Sequence, residues 1–117
     1  MGKHTGIIYN NQMDDFSTPG QSNFYNLRPS ESNKILPGKR PQSSMSPMIV
    51  LDDANNARLI IGASGGSKII SSVAQVSYKH LFMNRRLNEA IDDKRIHDQL
   101  YPETVELEEG FSQVLEN

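Results

Sequence analysis

Gly62-Ala63-Ser64-Gly65-Gly66-Ser67 is the stretch of this sequence best suited to chemistry. It follows Arg58-Leu59-Ile60-Ile61, a β-branched apolar run that predicts a strand. It precedes a helical pattern from Ile69 to about Phe82. Small residues at a strand-to-helix turn let backbone N–H groups come close to a ligand. The first turn of a helix also leaves N–H groups unpaired and carries partial positive charge. Together these features suit an anion or a developing oxyanion. The plain alternative is a glycine-rich linker that only turns the chain. Two common phosphate motifs do not fit. A P-loop counted from Gly62 would need glycine where Ser67 stands and a hydroxyl residue where Ile69 stands, leaving only Lys68 in register. A dinucleotide turn would need glycine at Ser64.

Two further polar clusters could bind a substrate. Asn11-Gln12-Met13-Asp14-Asp15-Phe16 is either an ordinary turn or a pocket in which a carboxylate captures an ammonium group. Pro37-Gly38-Lys39-Arg40-Pro41 is a turn with two cations, and Ser43-Ser44-Met45-Ser46 follows it with hydroxyl donors. His4, His80 and His97 are scattered, which predicts no structural metal. His97 reads as a hydrogen-bonded structural residue, not a base.

These groups need elements to hold them. Thr5 to Asn10 predicts a short strand. Residues 17–45 are irregular and rich in proline, serine and asparagine. Phe24 and Tyr25 in their midst favour an ordered lid over a disordered linker, and an ordinary surface loop is the plain alternative. Met48–Leu51 and Arg58–Ile61 flank a turn-rich segment and predict a β-hairpin. The helix after the glycines carries apolar side chains at Ile69, Ile70, Val73, Ala74, Val76, Leu81 and Phe82, a stripe for packing on a sheet. A shorter helix follows over Arg86–Asp92, with Leu87, Ala90 and Ile91 inward. Arg95–Leu100 reads as a connector, and Thr104–Glu108 as a strand with an acidic outer face. Gly110-Phe111 opens a final helix. The last twenty residues hold no Lys or Arg, which predicts a solvated acidic face.

Composition excludes several classes. A net charge of −2 argues against general nucleic-acid binding. No apolar run reaches membrane-spanning length. Without cysteine there are no disulfides, thiolate metal sites or cysteine nucleophile. Hydrophobic residues make up 36% and tryptophan is absent, so the core is lean.

Taken together, Asn10–Phe16, Pro37–Pro41, Ser43-Ser44-Met45-Ser46-Pro47 and Gly62–Ser67 resemble the small subunit of the gamma-glutamyltranspeptidases, or glutathione hydrolases. Arg95-Ile96-His97-Asp98-Gln99-Leu100 and Glu109-Gly110-Phe111 continue the match, which runs from about Thr5 through nearly the whole chain. The resemblance implies an α/β (α+β) fold, part of an αββα sandwich of the N-terminal-nucleophile hydrolase type and incomplete at both ends. Residues 1–117 would then be one partial small-subunit domain, with 17–45 as lid and binding loop and 58–82 as strand, glycine turn and helix. The implied activity is gamma-glutamyl transfer or hydrolysis through an acyl-enzyme on a threonine hydroxyl. Glutathione and related gamma-glutamyl compounds would be donors, and water, amino acids or dipeptides acceptors.

Carried over residue by residue, Gly65 and Gly66 resemble the oxyanion-hole pair. Gln12 and Asp15 resemble the residues that hold the glutamyl α-amino group. Ser43 and Ser44 resemble the pair on its α-carboxylate, and Tyr25 resembles a gating aromatic of the lid. No cofactor or metal is implied. The large subunit of the same enzyme is the implied partner, and the implied location is extracellular, secreted or periplasmic. No residue matches the attacking threonine. Thr5 lies in the run before Asn10 and does not substitute for it, so this chain alone is expected to be inactive. Minor departures are Gln42 where Leu is usual, Met48 where Thr is usual and Lys94 where Pro is usual. Two readings stand beside this one: a catalytically inactive, light-chain-like binding protein, and a small α/β module with an anion-binding glycine turn.

Overall fold

The structure is a computed structural model that describes residues 2–111. It contains two compact units, Met1–Ser43 and Ser44–Asn117.

The first unit is built from turns and side-chain bonds. The strand expected over Thr5–Asn10 does not form. The Gly2 N–H bonds the Ile7 carbonyl at 2.9 Å, the Gly6 N–H bonds the Gly2 carbonyl at 3.0 Å, and Gly6 takes a φ of +67°. A strand exists only where a neighbour completes its ladder. Ile7, Ile8 and Tyr9 find none among the described residues and stay exposed. Two single 3₁₀ turns follow, Gln12–Asp15 and Glu31–Asn33. Asparagines order the proline-rich loop. Asn23 Oδ1 accepts the N–H groups of Tyr25 and Leu27 at 2.9 and 3.0 Å. The Asn33 side chain donates to the Asp15 carbonyl at 2.8 Å and accepts from the Gln42 N–H at 2.8 Å. One amide thus ties three stretches of loop together. Phe24 and Tyr25 meet edge-to-face with ring centres 5.2 Å apart.

The second unit mixes helix and strand. Strand β1 (Met48–Leu51) pairs antiparallel with β2 (Ala57–Ile61) as expected. Leu51 faces Ala57 while Val50 faces Leu59, so Arg58 is an extra residue that bulges from β2. The loop closes on Asp52, whose Oδ1 accepts the N–H groups of Ala54 and Asn56 at 2.9 and 2.8 Å. Asn55 turns at a φ of +65°, a conformation asparagine tolerates well. Helix α1 runs Lys68–Phe82 and helix α2 runs Leu87–Asp92.

The segment read as a connector contains a third strand, β3 (Ile96–His97). It pairs antiparallel with β4 (Glu106–Leu107), which is shorter than the strand expected over Thr104–Glu108. Two-residue strands leave no period in the sequence. The expected final helix lies mostly outside the described residues, and Gly110 and Phe111 are not helical.

The core is Leu59, Ile69, Val73, Val76 and Ala90. It is narrower than the sequence pattern implied. Ile70, Ala74 and Phe82 on α1 are exposed, and α2 buries Ala90 but neither Leu87 nor Ile91. No helix among the described residues is long and apolar enough to cross a membrane. Leu59 is 3% exposed and its neighbour Ile60 is 70% exposed. Leu59→Ala is therefore expected to cost about 2–5 kcal/mol of unfolding free energy. Ile60→Ala should cost well under half of that, and urea denaturation of the two variants side by side checks the contrast.

Candidate functional site

The glycine turn has a geometry that only its residue types permit. Gly65 and Gly66 adopt φ values of +133° and +60°, a backbone that L side chains rarely take. The Lys68 N–H donates to the Gly65 carbonyl at 3.2 Å and the Ile69 N–H to the Gly66 carbonyl at 3.1 Å. These bonds fix the two peptide planes that lead into α1. Among the described residues, the N–H groups of Gly65, Gly66 and Ser67 donate no hydrogen bond. Ser67, at the N-cap, is helical in backbone and makes no capping bond. Open donors therefore stand at the positive end of a fifteen-residue helix.

A row of polar side chains on α1 holds this helix in place. The Gln75 side chain accepts from the Ile96 N–H at 3.1 Å and donates to the Ile96 carbonyl at 2.7 Å, much as a neighbouring strand would. Ser71 Oγ lies 2.8 Å from His97 Nδ1. Lys79 Nζ donates to the Lys94 carbonyl at 3.3 Å and pairs with Asp93 at 3.4 Å. Arg85 reaches the same carboxylate at 2.9 Å. At the other end Lys68 pairs with Glu106. His97 is buried and bonded at both ring nitrogens, as the structural reading of this residue expected.

The acidic face expected near the C-terminus is partly neutralised. Glu106 bonds Lys68, and Glu108 accepts from Arg95 at 2.7 Å. The Lys68 bond holds the Glu106 carboxyl below its usual range, and Arg95 does the same for Glu108. These partners come from distant parts of the sequence, so no local pattern announced them. Between the two ion pairs lies a cleft of about 200 Å³, lined by Lys68, Ser71, Arg95, His97, Glu106 and Glu108.

The remaining sequence-derived residues fall in both units. Gln12 and Asp15 begin and end one 3₁₀ turn, so the structure brings them together. The Asp15 backbone is pinned by Asn33, and its side chain is exposed. Tyr25 is half-buried against Phe24. Ser43 closes the first unit, and Ser44 opens the second, to which Gly65 and Gly66 also belong. The Ser44 carbonyl accepts from the Ser46 hydroxyl at 3.3 Å. The clamp residues Lys68, Ser71, Gln75 and Lys79 were missed. Their spacing of three and four on one helix face was the available signal.

The gamma-glutamyltranspeptidase family model matches residues 1–117. The chain belongs to this family. It is 47% identical over 96% of its length to scoloptoxin SSD14 of Scolopendra dehaani, covering 20% of that protein. It is 43% identical over 92% of its length to the glutathione hydrolase proenzyme of Escherichia coli, covering 19% of it. Among solved structures, a mutant of Helicobacter pylori gamma-glutamyltranspeptidase aligns at a TM-score of 0.82 and 41% identity. That match covers 92% of this chain and 57% of the other. The chain thus spans about a fifth of these two curated relatives. The mixed helix and strand content agrees with the fold of the transpeptidases.

Two outcomes follow from the turn and its ion pairs. Gly65→Ala and Gly66→Ala are each expected to destabilise the chain by roughly 1–3 kcal/mol through left-handed strain. Gly62→Ala, with ordinary φ and open space around its Cβ, should be close to neutral in the same thermal melts. Depressed carboxyls stabilise the folded state fully above their unfolded value. That stability drains as pH falls through the lower folded value. Urea midpoints of the native chain should therefore decrease as the pH drops below 4.5, the ordinary glutamate value. The double variant Glu106→Gln, Glu108→Gln should show a smaller fall over the same range.

Proposed function

We propose that residues 1–117 are the part of a gamma-glutamyltranspeptidase small subunit that binds the glutamyl group and stabilises the oxyanion. The observation that carries this reading is the pair of left-handed glycines with unpaired N–H groups at the start of α1. Donors held in this way need no rearrangement when negative charge develops on a carbonyl oxygen. In this reading Gly65 and Gly66 bond the oxyanion. The Asp15 carboxylate and the Gln12 amide hold the α-ammonium of the glutamyl group, a charge-assisted contact for Asp15. Ser43 and Ser44 donate hydroxyls to its α-carboxylate, and Tyr25 is the gating aromatic of the lid.

The chemistry is acyl transfer. A threonine hydroxyl attacks the gamma-carbonyl carbon, and its proton passes through the threonine's own amine to the departing amine. The tetrahedral oxyanion collapses to a gamma-glutamyl ester. Water, or the amine of an amino acid or dipeptide, then attacks that ester through a second oxyanion at the same donors. None of the 117 residues matches the family's attacking threonine, so these residues alone do not turn over glutathione. The large subunit is the partner that completes the site. The αββα sandwich and an extracellular, secreted or periplasmic location belong to the same reading.

The test replaces the matching segment of the Escherichia coli glutathione hydrolase proenzyme with this sequence. The chimera is expected to hydrolyse glutathione, and Asp15→Asn should lower kcat/KM roughly tenfold to a hundredfold. An active chimera indifferent to Asp15→Asn and to Gly66→Ala would overturn the assignment. Turnover by the purified 117-residue chain would overturn the claim that it lacks the attacking group.

A further inference from the structure

The bond directions around His97 link its charge to the glycine turn. The Gln99 amide is oriented by its Nε2, which donates to the Tyr101 carbonyl at 2.9 Å. Its oxygen therefore faces His97 Nε2 at 3.1 Å. An amide oxygen only accepts, so Nε2 of the imidazole carries a hydrogen. In the neutral ring Nδ1 is then an acceptor and takes the Ser71 hydroxyl hydrogen across 2.8 Å. In the imidazolium Nδ1–H donates to Ser71 Oγ instead. The single hydroxyl hydrogen is then free to bond the Lys68 carbonyl, 3.2 Å away.

The Lys68 carbonyl shares its peptide plane with the Ile69 N–H, which donates to the Gly66 carbonyl at 3.1 Å. The chain of bonds therefore runs from His97 through Ser71 and the Lys68–Ile69 peptide to the Gly66 carbonyl, which shares its peptide plane with the Ser67 N–H, and each link polarises the next. We propose that Ser71 and His97 are positioning residues for the glycine turn, and that the charge on His97 sets how firmly the first peptide of α1 holds Gly66. The charged groups around the imidazole are balanced. Lys68 on α1 pairs with Glu106, which lies opposite His97 in the β3–β4 register, and Arg95 pairs with Glu108. The consequence for catalysis rests on the reading of Gly66 as an oxyanion donor. The bond relay itself does not.

The experiment follows ¹H–¹⁵N amide resonances of the 117-residue chain from acid to neutral pH, together with the His97 ring signals. The Ile69 amide, and the Ser67 amide that shares a peptide plane with the Gly66 carbonyl, are expected to move together with the ring signals. Ser71→Thr, which keeps the hydroxyl, should preserve that shared titration. Ser71→Val, of the same shape as threonine, should abolish it at Ile69 and Ser67 while the ring signals still move with pH. Amides that ignore the ring in the native chain, or that follow it unchanged in Ser71→Val, would overturn the proposal. If the relay holds while Gly66→Ala leaves turnover of the active chimera intact, the positioning stands and the oxyanion assignment falls.

Discussion

The grip of helix α1 on the segment from Asp93 to His97 is the interaction on which the second unit depends. Bonds from Ser71, Gln75 and Lys79 to that segment recur at intervals of four residues along one helix face. Gln75 supplies both a donor and an acceptor to Ile96, so β3 gains a ladder partner on its helix side as well as β4 on the other. Without this row the two-residue strands would have one short pairing to hold them, and isolated pairs of that length are marginal in water. The same row fixes the axis of α1 and with it the direction in which the open N–H groups point. Fold and candidate site are in this sense one structure.

The parts that were legible in the sequence are those whose partners are close along the chain. The β1–β2 hairpin and α1 carry their own period, and the polar segment between the strands supplies its own turn through Asp52. The glycine turn was legible because residue size alone restricts what the backbone there can do. Thr5–Asn10 failed because strand formation is decided by a neighbour and not by the run itself. The extent of the core failed for a related reason. Ile70, Ala74, Tyr78 and Phe82 follow one another at helical spacing, yet they are exposed, with Tyr78 and Phe82 stacked at 5.5 Å. Periodicity reports that a face is apolar and not what covers it. The pairing of Glu106 and Glu108 was hidden because their cations stand far back in the chain.

The exposed apolar surface sets a physical limit on the second unit. On the hairpin, Ile49 lies opposite Ile60, and both are largely exposed with Leu51 beside them. Leu59 on β2 is buried, and alternate side chains of a strand point to opposite faces. A sheet apolar on both faces is the pattern of an inner layer, which buries one face on helices and the other on a second sheet. That pattern agrees with the sandwich proposed for this family member. It also explains how a sequence with 36% hydrophobic residues buries so few of them here.

The choice between a binding turn and a plain linker can be argued from what the helix start leaves undone. The usual solution puts a serine at the N-cap in an extended backbone, with its oxygen bonded to an N–H of the first turn. Ser67 is available for that role, yet its φ and ψ of −60° and −24° are helical and its hydroxyl caps nothing. Two consecutive left-handed glycines instead swing the chain into the helix and leave their own N–H groups open. Glycine also loses more conformational freedom on folding than any other residue, so this arrangement costs more than a capped start. A linker gains nothing in return. A site that must meet a developing negative charge gains donors already in place, which is the condition for oxyanion stabilisation.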